Sequence, residues 1–159
     1  MNRKMTAAGI TLVVAGCATL AIWTMDARPA DAHCQMPCGI YDDAARLTHL
    51  REDATTITKA ISNIIELSGK HDPQAFNQAA RWVAAKEDHA SDVITIVAEY
   101  FLTQKVKPVA PGSDGYDAYL KKLADHHAVM VAAMKTKQQA NLAAAAALDK
   151  AIDNLAKDY

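Results

Sequence analysis

The residues most able to do chemistry stand together near the start of the chain, as His33-Cys34-Gln35-Met36-Pro37-Cys38-Gly39-Ile40-Tyr41. They follow a segment laid out like an export signal. Cleavage after Ala32 would leave a polypeptide that begins with a free amine, an imidazole and two thiols within six residues. That is a complete metal chelate built from consecutive backbone. An α-amine has an ordinary pKa of about 7.7–8.0, so it gives up its proton readily and can bind through its lone pair. With the Cys34 amide nitrogen it closes one five-membered ring, and the Cys34 thiolate closes another. Pro37 and Gly39 turn the chain so that Cys38 can supply a fourth donor. Two nitrogens and two sulfurs in one plane suit a square-planar d8 or d9 ion, nickel or copper, better than tetrahedral zinc. The His33 imidazole can then approach along the axis.

The preceding segment determines whether that amine exists. Arg3 and Lys4 form a positive start, Thr6 to Met25 is uncharged and mostly apolar, and Ala30-Asp31-Ala32 is the small-x-small pattern that signal peptidase accepts. The chain thus divides into a signal peptide (1–32), a metal-binding hook (33–41) and a helical domain (42–159), and the product is exported, periplasmic or extracellular. Two other readings compete. The apolar run of about twenty residues is long enough to span a bilayer uncleaved and anchor the protein. Val14-Ala15-Gly16-Cys17 also fits a lipoprotein cleavage box in which Cys17 is acylated. Either would leave His33 internal, without a free amine. Once Cys17 is gone, only Cys34 and Cys38 remain, and export permits a disulfide between them. A disulfide loop explains neither the histidine at the cut site nor the turn residues between the thiols.

What must position this hook is helical. The chain of 159 residues carries 17 Lys+Arg against 18 Asp+Glu, and loss of Arg3, Lys4, Arg28, Asp26 and Asp31 leaves 14 against 16. Such a balance points away from nucleic acid and from an anionic membrane surface as partners. Abundant alanine, few aromatics, six glycines and five prolines suit helices and argue against a sandwich or barrel. Asp42 and Asp43 can cap a first helix whose apolar positions Leu47, Leu50, Ala54, Ile57, Ile61 and Ile64 recur by three and four, with Gly69 as terminator. Asp72-Pro73 opens a second, with Phe76, Ala80, Val83, Ala90, Ile94, Val97 and Phe101 on its apolar face and an end before Pro108. Lys107 to Gly115, holding two prolines and two glycines, is the longest loop. A third helix places Tyr116, Leu120, Leu123, His127, Val131 and Met134 on one face. A fourth, capped by Asn141, carries Leu142, Ala145, Leu148, Ile152 and Leu155. Four amphipathic helices with mostly short connections imply an all-α, antiparallel four-helix bundle, and so small a core favours burial between subunits.

The hook resembles the nickel-binding N-terminus of nickel-containing superoxide dismutases. The likeness extends through Glu99-Tyr100-Phe101-Leu102-Thr103-Gln104-Lys105 and through His126 to Met134. The resemblance implies a four-helix-bundle subunit, assembled as a homohexamer, with one nickel ion per subunit cycling between Ni(II) and Ni(III). It implies that His33 ligates through amine and imidazole, Cys34 through amide nitrogen and thiolate, and Cys38 through thiolate. Tyr41 and Tyr100 would then be the tyrosines of a shallow pocket open to small anions, where they pass protons. Thiolate and deprotonated amide are strong donors that stabilise the higher oxidation state, so the peptide brings nickel into the range where it can both oxidise and reduce superoxide. Gln35 stands where some relatives have an aspartate. The resemblance implies an axial imidazole oriented by a glutamate of the first helix and a nearby arginine, but Thr48 and His49 occupy that neighbourhood here, with Glu52 one turn on.

Other residues invite less. Lys86-Glu87-Asp88-His89 reads as a solvated face, with Glu87 beside the apolar seam. Neighbouring histidines on a helix diverge, so at most one of His126 and His127 faces inward. Trp82, Met130 and Met134 read as core or interface. The rival from another class is an exported nickel or copper carrier using the same hook without turnover; it would favour an exposed site over one walled by tyrosines.

Overall fold

Asp42 stands in extended backbone, and its carboxylate accepts the Ala45 N–H at 2.6 Å, which starts helix α1 (Asp43–Leu67) where the sequence puts it. Such a cap stabilises a helix by about 1 kcal/mol. The computed structural model describes residues 42–159; the readings placed on residues 1–41, the export signal, the hook and Tyr41, lie outside them. Leu50, Ala54, Ile57 and Ile61 of the expected stripe are buried, and Leu47 packs against their edge.

Helix α2 (Pro73–Thr95) begins in the same way, with Asp72 accepting from the Ala75 N–H at 2.9 Å and proline at the first position, where no N–H is missed. Its continuation, Ile96–Lys105, is a π-helix. The Val106 N–H donates to the Phe101 carbonyl five residues back at 2.9 Å, and the Thr103 hydroxyl and Gln104 amide reach the carbonyls of Ala98 and Glu99 across the same interval. The wider coil turns Val97, Tyr100 and Phe101 all into the core. After an irregular stretch in which Gly112 and Gly115 take positive φ, α3 runs Tyr116–Gln138. Only three residues separate it from α4 (Leu142–Leu155), whose cap is Asn141, accepting the Ala144 N–H at 2.8 Å. A single 3-10 turn, Ala156–Asp158, ends the chain. Among the described residues there is no strand, and no helix is long and apolar enough to cross a membrane.

All four α-helices contribute to one core. Helix α1 packs on α2 and α4, and α3 packs on the same two. Ile57 and Ile61 meet Val93, Val97, Val129, Leu148 and Ile152 in a continuous cluster. Each such side chain, fully buried, contributes roughly 1.5–3 kcal/mol.

Three expectations are corrected by this packing. Lys86 is not on a solvated face: it is 3% exposed, and its ammonium donates to the Thr136 and Lys137 carbonyls at 2.6 and 2.8 Å while pairing with Glu87 at 2.7 Å. Those carbonyls belong to the last turn of α3, which has no intrahelical donors left for them. Helix α3 therefore ends level with Lys86, and the thirteen residues of α2 before it run roughly 20 Å past that end at 1.5 Å each. That explains the second correction. Phe76 and Val83, expected in the core, are 79% and 42% exposed because no third helix among the described residues covers them. The third concerns the rotation of α3. Its buried face is His126, Val129, Ala132, Ala133 and Thr136, whereas Leu120, Val131 and Met134 are 40–44% exposed. Small Ala132 and Ala133 let α3 come close to its neighbours, and the contacts of His126 and Thr136 hold it in that rotation.

Candidate active site

Among the described residues, the candidate site residue is Tyr100, which is 8% exposed. The π-helical stretch brings it against the first turn of α1. Its hydroxyl donates to Asp43 Oδ1 at 2.9 Å, and the Lys105 ammonium sits 3.0 Å from the same oxygen. Lys105 Nζ and Arg46 Cζ lie 5.3 and 5.4 Å from the ring centroid, and Phe101 meets the ring edge-on at 5.1 Å. Loss of hydration and the hydrogen bond to Asp43 push the Tyr100 hydroxyl above the usual tyrosine value, against the opposing pull of Lys105. Lys105 is raised above its ordinary value, first by its bond to Asp43 and then by Tyr100. The tyrosine thus stays protonated beside a standing positive charge. Asp43 lies five residues after Cys38, so covalent reach alone keeps the two Cα atoms within about 18 Å.

Behind Tyr100, Phe101 packs against His126 and Tyr159, with ring centroids 5.8 and 4.7 Å apart. The two stretches that resemble the family outside the hook therefore touch. His126 Nδ1 is 2.6 Å from the Lys122 carbonyl, which can only accept, so Nδ1 carries the proton and Nε2 accepts the Tyr159 hydroxyl at 2.9 Å. Burial pushes His126 below its ordinary value and Tyr159 above its own. Of the histidine pair, His126 is buried and His127 exposed, so the two point to different environments.

A separate group of donors lies between α1 and α2. Asp53, His89 and Asp92 hold ligand atoms within 4.8 Å of one another, and His89 Nδ1 donates to Asp53 Oδ1 at 2.7 Å. A cavity of about 320 Å3 beside them is lined by His49, Glu52, Asp53, Asp92, Thr95 and Ile96. Burial raises the Asp53 carboxyl above the usual range, and the His89 bond only partly offsets this. Sequence reasoning singled out His49 and Glu52 but missed Asp53 and Asp92, although spacings of three and four on two facing helices carry the signal. Carboxylate and imidazole are hard or borderline donors, and they do little for a higher oxidation state of nickel. All three cysteines of the chain precede residue 42, so thiolate donors come only from the N-terminal segment. Of the expected site residues, His33, Cys34, Cys38 and Tyr41 lie outside the described residues, and Tyr100 is buried as above.

A family model described as nickel-containing superoxide dismutase matches residues 28–159. The chain belongs to that family. The match takes in the whole hook sequence and every described element, from α1 to the last turn. As a nickel-containing superoxide dismutase, the protein is an oxidoreductase that acts on superoxide with nickel as its metal, and nothing in the fold or the site favours the carrier. Comparison with curated proteins and with solved structures found no match. The residue types at positions 33–38 would suit this metal: two thiols with nitrogen donors are a set that favours a nickel ion changing oxidation state, and the Asp53 group lacks thiols.

Proposed function

We propose that the chain is a periplasmic or extracellular dismutase whose site is made by processing. Signal peptidase removes residues 1–32, and the hook, 33–41, holds one nickel through the His33 amine and imidazole, the Cys34 amide nitrogen and thiolate, and the Cys38 thiolate. The family match across residues 28–159 carries this reading. Bound nickel supplies a one-electron couple between the +2 and +3 states, so that two superoxide anions and two protons become dioxygen and hydrogen peroxide. The chain's own residues do the rest. Thiolates and amide make the higher state reachable. Tyr41 and Tyr100 wall the approach, and the Tyr100 hydroxyl holds a proton near where peroxide needs one. Lys105 and Arg46, beside Tyr100, give an incoming anion a favourable potential.

The same reading takes residues 42–159 as an antiparallel four-helix bundle that carries the hook and associates as a homohexamer. The outward stripe of Leu120, Val131 and Met134 supports association, since large apolar side chains turned from their own core are covered most simply by another subunit. Removing the thiolates tests the metal assignment. Cys34→Ser and Cys38→Ser, each loaded with nickel, should lose dismutation by at least a hundredfold while keeping wild-type helicity. Activity within a few-fold of wild type in either variant would remove the hook from the site.

A further inference from the structure

We infer that Asp43 is a positioning residue for the dismutation, orienting the Tyr100 hydroxyl and tethering Lys105 beside it. This rests on the reading that Tyr100 lines the approach to nickel. One oxygen, Asp43 Oδ1, receives both the Tyr100 hydroxyl at 2.9 Å and the Lys105 ammonium at 3.0 Å. The two donors are five residues apart in sequence, an interval that the π-helical coil turns to one side. Asp43 itself stands at the first position of α1, two residues after Tyr41. A carboxylate that serves only a helix start needs neither partner; Asp42 already caps the backbone.

The arrangement has a consequence for an anionic substrate. The groups seen to act on Tyr100 are Asp43 and Arg46 from α1 and Lys105 from its own stretch, with Tyr159 of the C-terminal end electrostatically linked to it. Asp43 is the carboxylate seen in contact with the hydroxyl. Its charge opposes ionisation of the phenol, and a tyrosinate would repel superoxide and have no proton to give. Its charge also balances Lys105, moderating the pull on the anion. Replacing it by an amide of the same size therefore moves two observables in opposite senses. Tyrosinate forms at lower pH, and below that pH capture of superoxide becomes faster and more sensitive to salt.

The test measures kcat/KM of the nickel-loaded protein against pH and ionic strength for wild type, Asp43→Asn, Asp43→Glu and Tyr100→Phe. Tyrosine ionisation is followed in parallel by ultraviolet difference absorbance. For Asp43→Asn, the alkaline limb of the profile should fall by about one pH unit, and the tyrosine signal absent from Tyr100→Phe should fall with it. At low salt and neutral pH, kcat/KM should rise roughly twofold to threefold. Asp43→Glu should return the limb toward wild type. A loss of activity equal at every pH, or an unmoved limb in Asp43→Asn while Tyr100→Phe moves it, overturns the inference alone. A Tyr100→Phe enzyme with the wild-type rate and profile overturns the underlying assignment of Tyr100 and the inference with it.

Discussion

Replacing Lys86 with methionine should destabilise the protein by roughly 1–2 kcal/mol. The ammonium donates to the Thr136 and Lys137 carbonyls and pairs with Glu87, and the side chain is 3% exposed. Methionine keeps the apolar stem and removes all three polar contacts. Thr136 is buried, so its carbonyl is left without a donor, at a cost of about 1–3 kcal/mol. The Lys137 carbonyl is partly exposed and can turn to water, and Glu87 keeps Lys137 at 3.8 Å as an alternative partner. Release of the ammonium from a desolvated position offsets part of the loss. For a domain of this size the net figure lowers Tm by about 5 °C. The assay is thermal and urea unfolding of the nickel-loaded protein by far-ultraviolet circular dichroism at fixed protein concentration, since the proposed association would make Tm concentration-dependent. Lys121→Met, which removes an exposed pairing with Asp125, serves as control and should cost no more than about 0.5 kcal/mol. A Lys86→Met protein within 0.5 kcal/mol of wild type would show that the end of α3 does not depend on this lysine, and would refute the account of where α3 stops.

His126 should give the protein a pH-dependent stability. Its folded-state pKa lies below the ordinary 6.5, with burial as the first cause, so the unfolded chain takes up the proton first. Stability is then fully present above about pH 6.5 and falls as pH drops through that value, by at most ~1.4 kcal/mol per pH unit. Urea midpoints measured at a series of pH values should show this slope in wild type and lose most of it in His126→Gln; equal slopes would contradict the assignment. A charge on the outward stripe of α3 should break the proposed association. Sedimentation should show Val131→Glu and Met134→Glu as smaller species with unchanged helix content, and an unaltered assembly would place the contact elsewhere.

Periodicity and capping chemistry were enough to read the helices from sequence. Asp42, Asp72-Pro73 and Asn141 each offer a carboxylate or amide to the N–H three residues on, and each starts a helix in the structure. What sequence did not show is rotation and relative length. On α3 the stripe of Leu120, Val131 and Met134 is as apolar as the true inner face, and two alanines decide which side turns inward, because close approach counts for more there than side-chain bulk. On α2 the apolar pattern runs through Phe76 and Val83, but whether a third helix covers them depends on where α3 ends. No local signal marks the π-helical stretch, since no glycine or proline interrupts Ile96–Lys105. For that reason the partnership of Tyr100 with Lys105 was not legible, and Asp43 read only as a cap. The proposed hook, by contrast, rests on residue type and spacing alone, because its proposed donors are neighbours in the chain.

The free amine of His33 is the claim on which the rest depends, and mass spectrometry of the native protein's N-terminus, with nickel content and dismutation measured on the same sample, tests it most directly. A chain beginning at His33 with one nickel per subunit, and no turnover in a form that keeps Ala32, is the expected result. Full turnover from protein that still carries residues before His33 would contradict it.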